Sequence, residues 1–75
     1  MKTHLATDAA VMHALYMLAD YPVLAGLAAE RTKANRLDGR TCRAIYEAAL
    51  PCIDWQAVSV HEREFMRRLG VKECD

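Results

Sequence analysis

Apolar residues recur along this chain at helical spacing, in four blocks separated by short polar breaks. The first block covers residues 8–20, where Val11, Leu15 and Leu18 fall at i, i+4 and i+7. That is the spacing of one helix face. Met12, Tyr16 and Ala19 widen the stripe, and Ala10, Ala14 and Met17 continue it on the far side. Thr7 or Asp8 suits the N-cap, because a short side-chain oxygen accepts an orphan backbone N–H there. Pro22 ends this helix and opens the next, since proline lacks an N–H and suits a first helical turn. The second predicted helix covers 22–37, with Leu24, Leu27, Ala28, Ala34 and Leu37 on its apolar face. Gly26 and the neighbouring alanines keep it slim. The two helices form an expected αα-hairpin around Pro22.

The second half of the chain carries clearer punctuation. Asp38-Gly39 is a turn signal, because glycine readily takes positive φ. Thr41 is the expected cap of a third helix over 41–50, whose stripe is Cys42, Ile45 and Ala49 beside Tyr46 and Leu50. Pro51 stops it, and residues 52–58 read as a packed loop or a single helical turn. Ser59 and Glu62 have capping-box spacing, each placed to satisfy the other's backbone donor. The fourth helix, 60–69, presents Phe65, Met66 and Leu69. Gly70 stands at the C′ position, with Val71 placed to touch Met66 in a Schellman ending.

The expected fold is all-α: a small helical bundle of three main helices plus one short helix, in one domain over 1–75. Helix 8–20 is apolar nearly all round, which demands deep burial or a partner. A protomer of 75 residues has little interior in which to hide it. Val11, Met12, Leu15, Met17 and Leu18 are therefore the expected dimer or partner face, and the chain is the expected homodimer.

Composition agrees with a folded helical protein. Apolar residues make up 53% of the chain, against three Gly and two Pro, and the commonest residue types favour helix. Three cysteines, Cys42, Cys52 and Cys74, are an odd number at irregular spacing, unlike a disulfide framework. No signal peptide is legible at the N-terminus, and the longest apolar run is too short to span a bilayer. A cytoplasmic protein with reduced thiols and no membrane contact follows as the expectation.

The candidate chemistry is sparse. His4, His13, His61 and the cysteines share no ligand spacing of a zinc site, so no metal or other cofactor is expected. There is no phosphate-cradling glycine loop and no convergent acid–base pair, so the chain reads as no enzyme. Formal net charge is zero, but its distribution is uneven. Residues 31–43 carry Arg31, Lys33, Arg36, Arg40 and Arg43 against Asp38 alone, a sum of +4. The segments on either side each sum to −2. Arg63 and Arg67, with Arg68, add a second basic patch, and arginine is enriched at protein interfaces. Tyr16, Tyr21, Tyr46 and Trp55 are candidate partner anchors as well as core residues.

These observations lead to a small non-enzymatic interaction module, a regulator, adaptor or inhibitor that covers a surface of a larger host or cognate protein and self-associates. Small size without chemistry is also the style of viral (phage) and mobile-element accessory proteins. The alternative is a dimeric helix–turn–helix regulator that contacts DNA through Arg36, Arg40 and Arg43.

Overall fold

The structure is a computed structural model, and it describes residues 9–71. The protein is predominantly helical, with one small antiparallel ribbon. Helix α1 (Ala9–His13) leads into strand β1 (Leu15–Met17), a 3-10 turn (Leu18–Asp20) and helix α2 (Pro22–Ala28). Strand β2 (Arg36–Asp38) follows, then helix α3 (Gly39–Ala49), two further 3-10 turns and helix α4 (Val60–Arg68). The proposed caps at Thr7 and Asp8, His4, and the tail with Cys74 lie outside the described residues.

The expectation of a helix over 8–20 needs correction: it stops at His13. Leu15, Tyr16 and Met17 pair antiparallel with Asp38, Leu37 and Arg36 respectively. The helical and strand readings of this segment differ in where they send Tyr16. As a strand it turns Tyr16 to the inner face, where its ring lies 4.6 Å from that of Phe65 and its hydroxyl donates to the Val11 carbonyl. Leu15 and Met17 take the outer face.

The helix expected over 22–37 is also shorter than predicted. Its start at Pro22 is correct, but it ends at Ala28, where Arg31 and Thr32 both donate their N–H to the Ala28 carbonyl. The polar residues 30–36 have no apolar stripe to hold them helical, and Leu37 is claimed by Tyr16 as its strand partner. With α1 and α2 separated by a strand and a 3-10 turn, the αα-hairpin around Pro22 does not form.

The later elements follow the sequence more closely. Helix α3 begins two residues before the expected 41, because Asp38 and not Thr41 caps it: the Asp38 carboxylate accepts the Thr41 N–H at 2.9 Å. Gly39 is the first residue of that helix and its φ is not positive. It is glycine for another reason. A Cβ there would lie 2.2 Å from the Val11 carbonyl oxygen and 2.9 Å from the Met12 Cα. The backbone of α1 crosses the start of α3 with no room for a side chain. Gly39 also donates its N–H to the Ala14 carbonyl.

Helix α4 ends as its sequence foretells. Gly70 takes φ 86°, its N–H reaches the Arg67 carbonyl, and the Val71 N–H reaches that of Met66, which are the two bonds of a Schellman motif. Between α3 and α4, Leu50–Cys52 and Trp55–Ala57 are single 3-10 turns, the second capped by Asp54.

The core gathers around Phe65. Its ring stacks on Tyr21 at 3.9 Å, meets Tyr16 at a tilt and sees Tyr46 edge-on at 6.3 Å. Leu24, Ala28, Cys42, Tyr46 and Leu69 around it are fully buried. Offset and edge-on contacts of this kind add roughly 0.5–1.5 kcal/mol per pair beyond area burial. Tyr16, Tyr21 and Tyr46 are thus spent inside the fold, and Trp55 is half-buried against the core.

Candidate interaction surface

The β1–β2 ribbon has one face on the core and one toward solvent. On the outer face Leu15 lies beside Asp38 and Met17 beside Arg36. Leu15 is 65% exposed and Met17 47%. Beside Met17 a groove of about 390 Å³ opens between β1 and α2, lined by Leu18, Ala19, Ala25, Ala29, Ala34, Thr32, Lys33 and Asn35. Four of its nine lining residues are alanine, and with Met17 and Leu18 they make the lining largely apolar. Lys33 also lines it, and Arg31 and Arg36 are exposed on the adjoining segments.

Helix α2, which lends Ala25 to this groove, is held at its start by a side chain of α4. Glu62 is 1% exposed, and its carboxylate reaches across to the first turn of α2. It accepts the N–H of Val23 at 3.1 Å and of Leu24 at 2.8 Å, and the hydroxyl of Tyr46 at 2.7 Å. These are two orphan donors at a helix start, where the N-terminal partial charge also favours a carboxylate. Burial, followed by the bond to Glu62, pushes the Tyr46 phenol far above its ordinary range. Among the described residues no buried side-chain polar atom lacks a partner. Capping-box spacing at Ser59 and Glu62 therefore has two outcomes: Ser59 Oγ accepts the Glu62 N–H at 3.1 Å, while the Glu62 side chain leaves its own helix to cap another.

The residues expected to form the apolar face divide between two fates. Leu18 is buried in the core, and Val11 and Met12 are half-buried against it, with Val11 receiving Tyr16. Leu15 and Met17 alone of the five remain outside. Helical spacing grouped the five because it presumes one face, whereas a strand alternates faces.

The basic residues also separate. Arg31, Lys33, Arg36 and Arg40 are exposed. Arg43 pairs with Glu47 one turn along α3 at 3.1 Å. Arg63 is half-buried and donates to the carbonyls of Val58 and Trp55, tying the loop before α4 to that helix. Arg67 pairs with Glu64 at 2.7 Å. The like-charged neighbours Arg63 and Arg67 thus point to different partners. The two helices flanking the basic island are joined by residues 29–38, including β2, where a helix–turn–helix uses three or four residues.

Neither thiol within the described residues gathers a site. Cys42 is buried with its Sγ 3.8 Å from the Leu37 carbonyl, and burial pushes its thiol up to about 11. Cys52 is exposed. His61 stacks on Tyr21 at 5.1 Å. Among the described residues no group of three or more His, Cys, Asp or Glu could hold a metal ion, and no helix is long and apolar enough to cross a membrane. Comparison with protein families, curated proteins and solved structures finds no match for this chain.

Proposed function

We propose that this chain is a non-enzymatic protein-interaction module, a small regulator, adaptor or inhibitor that covers a surface of a larger protein and associates with itself, in a cytoplasmic setting. The observation that carries this reading is the apolar outer surface at Leu15 and Met17, continuous through Met17 with the largely apolar groove that Lys33 also lines. A protein of this size has few large apolar side chains to spare. Leaving two of them on one short strand beside a groove is the pattern of a contact surface. The ten-residue connection between α2 and α3 favours this reading over the DNA-binding one, although exposed Arg36 and Arg40 supply positive charge.

The test is a tagged pull-down with and without nuclease, comparing wild type with Ala29→Glu and Lys33→Glu, both exposed groove positions. A stoichiometric partner that survives nuclease and is lost from the variants supports the reading. Retention that vanishes with nuclease, and with Arg36→Ala and Arg40→Ala, replaces it by nucleic-acid binding. That binding would also fall steeply with salt.

A further inference from the structure

The ladder bonds fix which way the amides of β1 point. Leu18 donates to the Asn35 carbonyl and Gly39 to that of Ala14, so positions 14, 16 and 18 of this strand are the hydrogen-bonded ones. Antiparallel pairs alternate strictly, and the N–H and C=O groups of Leu15 and Met17 therefore face away from β2. Among the described residues no backbone hydrogen bond outside the ladder reaches either residue. The outer edge of β1 presents unpaired amides at two positions placed symmetrically about Tyr16.

An edge with that symmetry is complementary to itself. Turning a second copy about a two-fold axis at Tyr16 sets each Leu15 opposite Met17 of the other copy. Every such pair can exchange both of its backbone bonds, and the exposed side chains then lie side by side on one face. Charge favours the same occupant. Leu-Tyr-Met carries none, whereas the other strand of the ribbon presents Arg36 and Asp38, the type of residue that discourages edge pairing. The pairing leaves Arg36 and Asp38 flanking an apolar centre, with no like charges opposed.

We propose that β1 is a self-pairing edge, joining two copies of this chain antiparallel in the register Leu15 to Met17. The proposal rests on the interaction reading above and specifies its self-association. A three-residue strand with two exposed apolar side chains falls well short of the roughly 800 Å² per partner of a stable interface, so the dimer is weak and exchanging.

Cysteine trapping tests the register directly. In a background of Cys52→Ser and Cys74→Ser, Leu15→Cys and Met17→Cys proteins are oxidised separately and as a mixture. Opposed residues of a hydrogen-bonded pair have Cα atoms about 5.5 Å apart, inside the disulfide range of roughly 4.4–6.8 Å. Identical positions are offset by two residues, about 8 Å apart from strand rise and spacing, which is too far. The mixture should give at least several-fold more covalent dimer than either protein alone. Equal yields in all three overturn the register.

A second measurement uses Met17→Pro. Met17 has φ −77°, which proline adopts, and its N–H faces outward, so the β1–β2 ladder is kept. Light scattering over a concentration series should show the average mass rising for wild type and flat for this variant. A variant that associates like wild type overturns the edge. A wild-type mass that stays flat while partner capture is intact would sink this inference alone, whereas absence of any groove-dependent partner would sink the interaction reading.

Discussion

Replacing Glu62 is the sharpest test of how this fold is held. Among the described residues its carboxylate is the only hydrogen-bond partner of the Leu24 N–H and the Tyr46 hydroxyl, both deep in the core. Glu62→Ala strands these two buried donors at about 1–3 kcal/mol each. It also removes a carboxylate from the start of α2, worth roughly 0.3–1 kcal/mol. The expected loss is therefore about 2–7 kcal/mol. A chain of this length has a total stability of roughly 4–11 kcal/mol at typical per-residue values, so the alanine variant sits near the limit of folding. Glu62→Gln is the better probe, because it keeps shape and one acceptor oxygen but turns an amide donor toward other donors. It should lose about 2–3 kcal/mol, like a charge-assisted bond. Tyr46→Phe should lose about 1.5–3 kcal/mol for the same reason. The assay is urea unfolding of wild type, both single variants and the double, read as a cycle. Residues sharing one network couple by roughly 0.5–3 kcal/mol. An unchanged midpoint for Glu62→Gln, or strict additivity with Tyr46→Phe, would refute the network as a stabilising device. The raised phenol of Tyr46 adds a pH signature. A folded pKa above the unfolded value gives stability that is present below about pH 10, where unfolded tyrosine ionises, and is lost as pH rises further. Tyr46→Phe should flatten that alkaline slope.

Three other outcomes are expected. Gly39→Ala should destabilise by about 1–3 kcal/mol through overpacking against Val11 and Met12, although alanine is the better helix former by roughly 0.5–1 kcal/mol; a rise in melting temperature would contradict the crossing of α1 over α3. Leu18→Ala should cost about 2–5 kcal/mol as a core truncation, whereas Leu15→Ala should stay within about 0.5 kcal/mol as a surface change, and equal losses would restore a single apolar helix face. Asp38→Ala should cost about 0.5–2 kcal/mol as a lost N-cap. Its hydrogen bonds from Thr41 hold the Asp38 carboxyl below its ordinary value, so its contribution is present above that value and disappears as pH falls through the folded one, which carboxyl titration by NMR would follow.

Sequence alone determined the elements whose signals are local. Helix α4 starts at Ser59 and ends in a Gly70 Schellman turn because both caps use residues within a few positions of each other. The stripe of Cys42, Ile45 and Tyr46 on α3, and Pro22 at the start of α2, were legible for the same reason. Tertiary structure decided what depends on distant partners. Leu15–Met17 is strand and not helix because it finds Arg36–Asp38 some twenty residues on and sends Tyr16 to Phe65. Neither strand carries a run long enough to announce itself. Glu62 has the spacing of a local cap, yet the deeper need lies at Val23 and Leu24, thirty-eight or more residues away in sequence. Buried backbone donors must find an acceptor, and which acceptor reaches them is settled only when the helices pack. The open edge of β1 follows from that packing too, since a side chain's face and an amide's direction exist only once the strand has a register.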